Sequence, residues 1–170
     1  MNNASALVKI LLLMLIAYGL FFFMKREWSL APNLNEFADA TELHPVVAEK
    51  RDELIRRSKD KGITVVITDD FRSKEEQDQL YAKGRTTEGN IVTYSKGGES
   101  YHNYGLAIDF ALEIEKGKVI WDMEYDGNQN GMSDWMEVVE IGKELGFEWG
   151  GDWEGFKDYP HFQMNPQDLV

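Results

Sequence analysis

One segment constrains the fold more than any other. Residues 106–112 alternate between large apolar residues and small or charged ones, as a strand does when its two faces meet different surroundings. The first face carries Leu106, Ile108, Phe110 and Leu112. The other carries a carboxylate, Asp109, between Ala107 and Ala111. Burying a carboxylate without a partner is costly, so we expect Asp109 to meet a cation or hydrogen-bond donors, and the small alanines leave room beside it.

Other segments add helices and strands to this one. Capping and turn residues predict three helices: one over residues 46–58 after Pro45, one that begins at the Ser73–Glu76 capping box and runs to Tyr81, and one capped by Asp134. Apolar runs predict a strand buried on both faces over 63–68 and a short strand over 161–164. Strands and helices do not alternate regularly, so we predict an α+β domain. The polar, glycine-rich residues 84–100 form a loop long enough to suggest function.

Composition excludes several classes of protein. The chain has 170 residues, enough for one domain, and no cysteine, which rules out disulfides, thiolate zinc sites, a cysteine nucleophile and a lipid-modified cysteine. Its 18 basic and 30 acidic residues give a net charge of −12. A nucleic-acid partner needs a basic face, and we therefore expect none.

The N-terminus is unlike the rest of the chain. Residues 6–24 are apolar apart from Lys9, and as a helix they would span about 28 Å, close to the thickness of a bilayer core. We predict one N-terminal transmembrane helix, with residues 1–27 as a membrane anchor or signal segment, 28–40 as a tether and 41–170 as the functional domain. A cleavable signal peptide is the alternative.

The three histidines are the natural candidates for chemistry. His102 stands seven residues before Asp109, and His161 lies near the C-terminus, while His44 before Pro45 is better suited to a helix start. Two imidazoles and a carboxylate would leave an open fourth position on zinc, as catalytic sites do. From spacing alone, structural histidines and a capped aspartate remain the alternative.

These residues carry a family resemblance. The pattern Ser100-x-His102-x-x-Gly105-x-Ala107-x-Asp109, followed by Asp158-x-x-His161, resembles the signature of the zinc D-Ala-D-Ala carboxypeptidase/dipeptidase family, which includes VanY-like vancomycin-resistance peptidases and the cell-wall and phage-endolysin L-alanyl-D-glutamate endopeptidases. Residues 71–81 resemble that family's arginine segment, and residues 149–153 and 160–163 resemble the endopeptidase branch. The resemblance covers residues 41–165. It implies a small mixed domain with a central antiparallel sheet flanked by helices, as in Hedgehog and D,D-peptidase proteins.

The resemblance also implies roles for residues. Zinc would be held by His102, Asp109 and His161, with Asp158 as the general base. Arg72 would stabilise the oxyanion or a substrate carboxylate; its alternative is a surface ion pair with Asp69 or Asp70. The candidate substrate-binding residues are Ser100, Trp149 and Trp153, for which a turn role and core packing are the alternatives.

A second metal pattern lies at residues 126–137. It fits the calcium-loop template Asp-x-Asn-x-Asn-Gly-x5-Glu. The oxygen donors would come from Asp126, Asn128, Asn130, Asp134 and Glu137. Turn formation alone explains the same asparagines and glycines, so a structural calcium ion is one of two interpretations.

The resemblance implies a zinc metallopeptidase that hydrolyses peptidoglycan stem peptides, most readily between L-Ala and D-Glu. A D-alanyl-D-alanine carboxypeptidase with the same site and a non-catalytic wall-binding domain are the alternatives. We expect a monomer in the cell membrane, single-pass with the catalytic domain outside, or else an enzyme secreted to the cell wall after signal cleavage.

Overall fold

The computed structural model describes residues 34–169. Within them, three helices surround a single sheet. The helices are α1 (Pro45–Asp60), α2 (Lys74–Ala82) and α3 (Asp134–Glu144). The strands are β1 (Val65–Asp69), β2 (Ala107–Glu115), β3 (Lys118–Ile120), β4 (Glu148–Trp149) and β5 (His161–Gln163). The described residues also include four short 3-10 helices, at Leu34–Phe37, Tyr101–Tyr104, Gly150–Asp152 and Pro166–Asp168.

The predicted transmembrane helix is corrected. No helix in residues 34–169 is long and apolar enough to cross a membrane. Even α1, the longest of them with 16 residues, carries charged side chains along its length. The segment predicted as an anchor, residues 6–24, lies outside the described residues. The fold class that included this helix, and the single-pass location predicted with it, are therefore not supported.

Strand β2 organises the sheet. The strand order is β1-β2-β5-β4, β3 also pairs with β2, and every pairing is antiparallel. The strand predicted over residues 63–68 is found at Val65–Asp69, and the prediction that both its faces are buried is wrong. Ile63 and Val65 are buried, whereas Thr64 and Thr68 are exposed. The sheet is therefore solvated on part of this edge.

Local sequence signals explain where the helices begin. The predicted capping box of α2 is confirmed, because the Ser73 hydroxyl accepts from the Glu76 backbone and the Glu76 side chain accepts from the Ser73 backbone. His44 is the N-cap of α1, as its place before Pro45 predicts. Helix α3 begins one residue earlier than predicted: Ser133, not Asp134, is the N-cap and accepts from the Met136 N–H at 3.3 Å.

The core lies between the apolar face of β2 and the helices. Phe110 of β2 stacks on Phe162 of β5 at a ring-centroid distance of 5.1 Å and lies 4.3 Å from Trp135 of α3. Ala107 and Ala111, on the opposite face, are fully buried as well. Strand β2 is therefore covered on both faces, and Asp109 is a carboxylate on a mostly buried strand. Leu34 and Phe37, in the segment predicted as a tether, pack against the same core.

Candidate metal and active site

Two strands bring Asp109 and His161 together. The two residues are direct partners in the β2–β5 register, and Asp109 Oδ1 lies 3.1 Å from His161 Nδ1. His102 comes from the 3-10 helix just before β2. Gly105 ends that helix with a φ of +67°, a left-handed conformation that favours glycine, and this turn directs the chain into β2. The three predicted ligands therefore meet in space.

The three donor atoms form a nearly equilateral triangle. His102 Nε2 lies 3.2 Å from His161 Nδ1 and 3.3 Å from Asp109 Oδ1, which complete the 3.1 Å side. Tetrahedral zinc with bonds of about 2.0–2.1 Å separates its ligands by about 3.3 Å. Among the described residues, this is the cluster of histidine and acidic side chains able to hold a metal ion. Its dimensions fit zinc.

Hydrogen bonds around the triangle determine which ring nitrogens carry protons. The His102 Nδ1–H donates to the carbonyl oxygen of Asp70 at 2.5 Å, because a carbonyl can only accept. The His161 Nε2–H donates to Gln163 Oε1 at 3.2 Å. The amide of Gln163 is oriented in turn, since its Nε2 donates to a Glu148 carboxylate oxygen at 2.9 Å. Both imidazoles thus direct a lone pair toward Asp109, as hydrogen-bond partners on the outer nitrogen do for histidines that bind metals.

The pKa values of Asp109 and His102 are shifted in opposite directions by their contact with each other. Burial alone would raise the pKa of the Asp109 carboxyl, but the hydrogen bonds and positive charge that His102 and His161 supply when they are doubly protonated hold it well below its usual range. Burial would lower the pKa of His102, yet its hydrogen bond and charge interaction with Asp109 raise it overall. Three electron-pair donors share one point and require a positive charge there. Either an imidazole proton or a metal ion can supply it.

Asp158 lies in the same cleft as the cluster. Its backbone N–H donates to the Gly150 carbonyl at 3.1 Å, and the His161 N–H donates to the Asp158 carbonyl at 3.3 Å. A Cβ on Gly150 would collide with the Asp158 carbonyl and stand 3.0 Å from the Asp158 Cβ, so glycine permits this close approach. Burial raises the pKa of the Asp158 carboxyl, and the nearby charge of Asp109 raises it further.

Arg72 forms an ion pair and also faces the cleft. Its Nη2 pairs with Asp69, and its Nη1 donates to Gln77 Oε1 at 2.6 Å. Only 13% of the side chain is exposed, and it lines the cleft beside the cluster. The alternative pairing with Asp69 is therefore present, but it holds the guanidinium inside the site instead of on an open surface. The carboxylate of Asp70 instead lies 3.9 Å from Arg51.

The cleft has a volume of about 490 Å³ and two walls. Residues 92–95 of the long loop form one wall, and Trp153 and Phe156 form the other. The walls meet where the rings of Tyr94 and Phe156 pack edge to face at 5.4 Å. The length of the loop over residues 84–100 suggests function, but nothing local in the sequence relates Tyr94 to Phe156.

The predicted substrate-binding residues divide between cleft and core. Ser100 lines the cleft, and its N–H lies 3.4 Å from Asn103 Oδ1. Trp153 also lines the cleft, with its ring 5.1 Å from that of His161. Trp149 instead belongs to the core, and its Nε1–H donates to the Tyr159 carbonyl at 2.7 Å. The core alternative weighed for the tryptophans therefore applies to Trp149.

The loop over residues 126–137 closes around Glu137. The Asn128 and Asn130 side-chain amides donate to Glu137 Oε2 at 2.8 and 2.9 Å, and the Lys61 ammonium donates to Oε1 at 2.8 Å. Asp126 accepts from the backbone N–H groups of Asn130 and Gly131. Asp134, at the start of α3, accepts from the Gly127 N–H at 3.1 Å.

Comparisons with known proteins agree with this geometry. A model of the peptidase M15 family described as D-alanyl-D-alanine carboxypeptidase matches residues 93–164. The peptidoglycan L-alanyl-D-glutamate endopeptidase CwlK of Bacillus subtilis (strain 168) is 56% identical over 166 residues, covering 98% of this chain and 99% of CwlK. The L-alanyl-D-glutamate peptidase of Listeria phage A118 is 36% identical over 133 residues, which are 78% of this chain and 40% of the phage protein.

A similar solved structure is also that of an L-Ala D-Glu endopeptidase. The L-Ala D-Glu endopeptidase ChiX of Serratia marcescens superposes with a TM-score of 0.51 at 25% identity, covering 75% of this chain and 84% of ChiX. The near-complete match to CwlK extends over the arginine segment, the His102–Asp109 pattern and the Asp158–His161 pattern. The resemblance predicted from these motifs is confirmed: the chain belongs to the M15 peptidase family, which contains D-alanyl-D-alanine carboxypeptidases and L-alanyl-D-glutamate endopeptidases.

Proposed function

We propose that this protein is a zinc metallopeptidase that hydrolyses the L-Ala–D-Glu bond of peptidoglycan stem peptides. The observation that carries the proposal is the triangle of His102 Nε2, Asp109 Oδ1 and His161 Nδ1, whose sides of 3.1–3.3 Å fit tetrahedral zinc. Its place at a cleft that also contains Asp158 supports catalysis over a purely structural metal. The names of CwlK, the phage peptidase and ChiX support the choice of bond.

His102, Asp109 and His161 are the residues that would hold zinc. Bound there, zinc would supply a lowered pKa for a coordinated water and polarisation of the scissile carbonyl. The chain's contribution is to hold the N–H of each imidazole outward so that the other ring nitrogen faces the metal position, which the Asp70 carbonyl and Gln163 do. The carboxylate of Asp109 adds the negative charge that favours a divalent cation.

Asp158 is assigned as the general acid and base. Its carboxylate would accept the proton of the attacking water and then pass it to the leaving amine nitrogen. A carboxyl that must do both works best with a pKa above the usual value, and burial together with Asp109 shifts Asp158 in that direction. The hydrogen bond from the Asp158 N–H to the Gly150 carbonyl, at 3.1 Å, holds the backbone of this residue beside the cleft.

Arg72 is assigned to charge stabilisation. Its guanidinium carries a fixed positive charge in a mostly buried setting, where it interacts more strongly with a developing oxyanion or a substrate carboxylate than it would in water. Its pairing with Asp69 and Gln77 fixes its position before substrate arrives. Ser100 and Trp153 are assigned to substrate contact, with Trp149 supporting the wall from the core.

Product analysis tests the bond that is cut. The full-length protein, loaded with zinc, is incubated with a defined muramyl pentapeptide, and new termini are identified by mass spectrometry. A new D-Glu amine supports the proposal. Release of free D-Ala would establish the D-alanyl-D-alanine carboxypeptidase instead, the candidate that the description of the matching family model favours. Binding without any product would leave the non-catalytic wall-binding domain.

The domain limits and location remain predictions. We assign the peptidase to residues 41–170, a span that contains every residue of the proposed site. Secretion to the cell wall is the location compatible with a peptidoglycan substrate. A monomer is likewise a prediction, which sedimentation of the full-length protein would test.

The calcium loop also remains a prediction. A calcium ion bound by Glu137 would have to displace the Lys61 ammonium, since both require the same carboxylate. Thermal unfolding with and without calcium, in the natural protein and in Lys61→Met, tests this. An increase in Tm that is larger in the variant supports calcium binding, and no increase in either protein removes it.

A further inference from the structure

One buried polar side chain contacts Arg72 but does not itself line the cleft. Gln77 of α2 is fully buried, although amide side chains are usually exposed. Its Oε1 accepts from Arg72 Nη1 at 2.6 Å, while its Nε2 donates to the Ser95 carbonyl at 2.7 Å and to Thr93 Oγ1 at 3.3 Å. One side chain thus joins the cationic residue of the cleft to the loop that forms a cleft wall.

The partners permit only one orientation of this amide. A guanidinium can only donate and a carbonyl can only accept, so the oxygen of Gln77 must face Arg72 and its nitrogen must face Ser95. Turning the amide over would place two donors against each other and two acceptors against each other. Because the Gln77 side chain is fully buried, losing these contacts leaves its amide oxygen or nitrogen unsatisfied.

The loop depends on α2 for its position. Residues 91–95 form no helix or strand, and Ile91, Val92 and Tyr94 expose about half or more of their surface, at 47%, 55% and 66%. Such a segment is held by specific contacts instead of by a core. Gln77 holds it at Thr93 and Ser95, and the neighbouring Asp78 accepts from the Gly97 N–H at 2.8 Å.

We propose that Gln77 is a positioning residue that sets Arg72 and the wall of residues 93–95 as one unit. It does not line the cleft itself, so it acts through these two partners. Substrate contact with the wall is thereby coupled to the position of the guanidinium that stabilises charge. This inference rests on the proposed peptidase function.

A double-mutant cycle tests the link to Arg72. Gln77→Leu removes the acceptor of Arg72, and we expect kcat to fall by about tenfold or more, since misplaced charge stabilisation slows the chemical step. In an Arg72→Lys background, in which the guanidinium is already absent, the same change is expected to cost less than about twofold. Equal losses in both backgrounds would overturn the inference.

Gln77→Glu tests the link to the wall separately. The new carboxylate still accepts from Arg72 but cannot donate to Ser95 or Thr93, so we expect KM to rise several-fold with kcat within about threefold of the natural value. An unchanged KM would contradict a role in wall positioning, and this variant decides the matter if Gln77→Leu does not fold. Gln79→Leu and Gln79→Glu are the controls, because Gln79 is exposed on the same helix.

Two outcomes distinguish a failure of this inference from a failure of the function on which it rests. If the natural protein, loaded with zinc, cuts no stem peptide, the proposed function fails. If it cuts and the cycle is additive, only the role of Gln77 fails. The Tm of every variant is measured as well, so that a general loss of folding is distinguished from a change in kcat or KM.

Discussion

Asp109 and His161 stand directly opposite each other on β2 and β5, and the oxygen and nitrogen that face each other are 3.1 Å apart. A shift of one residue in this register would move Asp109 to the other face of the sheet. The register is maintained by the core beneath it, where Phe110 and Phe162, the next residue on each strand, stack against each other. Packing of the core therefore sets the geometry of the metal site.

Asp109→Asn tests the ligand set. Asparagine has the same shape but lacks the charge, so we expect zinc content to fall well below one ion per chain and cleavage to fall at least a hundredfold. Zinc is measured by atomic emission after dialysis and folding by circular dichroism. Asp122→Asn, at an exposed aspartate, is the control. A folded Asp109→Asn protein with full zinc content would contradict the assignment.

Gln163→Ala tests the orientation of His161. Without the Gln163 oxygen, the His161 ring loses the partner that directs its lone pair inward, and we expect zinc affinity to fall about 10–100-fold. Competition with a chromogenic chelator measures the affinity. An affinity equal to that of the natural protein would mean that Gln163 does not orient the ligand.

Asp158→Asn tests the general base. Zinc content is expected to stay near that of the natural protein, because Asp158 is not among the three ligands, while kcat falls by about 10²–10⁴-fold. Single-turnover cleavage of a stem peptide measures the chemical step. Full activity in this variant would exclude Asp158 from proton transfer.

Glu137→Gln tests whether the hydrogen bonds of Glu137 stabilise the loop over residues 126–137. Burial alone would raise the pKa of Glu137, but its hydrogen bonds from Lys61, Asn128 and Asn130 lower it overall. A carboxyl whose pKa is lowered by folding stabilises the protein above its unfolded pKa, near 4.3, and loses that contribution as pH falls through its folded value.

We therefore expect Glu137→Gln to lower the free energy of unfolding by about 2 kcal/mol at neutral pH, and by much less in acid. Urea unfolding at several pH values measures the difference. Glu140→Gln, at an exposed position on the same helix, should change little at any pH. A loss that persists unchanged in acid would contradict the ion-pair explanation.

Much of the site could be predicted because its signals are local. The Ser73–Glu76 capping box, the alternation around Asp109 and the two histidine motifs each lie within about ten residues. What was missed is set by distant partners. Gln77 lies in the segment that resembles the family's arginine segment, but its contacts with Arg72 and Ser95 form only in the folded chain. Likewise, Tyr94 meets Phe156 only in the folded cleft.

The remaining errors arise where two residues suit the same position. Ser133 and Asp134 are both good N-caps; Ser133 takes the position because the Asp134 carboxylate accepts from the backbone N–H of Gly127. Trp149 and Trp153 are residues of the same type, so the sequence does not distinguish them. In the structure, Trp149 belongs to β4 and packs in the core. Strand β3 has only three residues, too few for a periodic signal.

Cleavage measured through a cycle of metal removal and return tests the central claim most directly. The full-length protein is treated with a chelator, dialysed and supplemented with zinc, and the new D-Glu amine is counted at each stage. We predict that cleavage of the L-Ala–D-Glu bond disappears with the chelator and returns at one zinc ion per chain, but not in Asp109→Asn. Cleavage that continues unchanged in zinc-free protein would contradict the account.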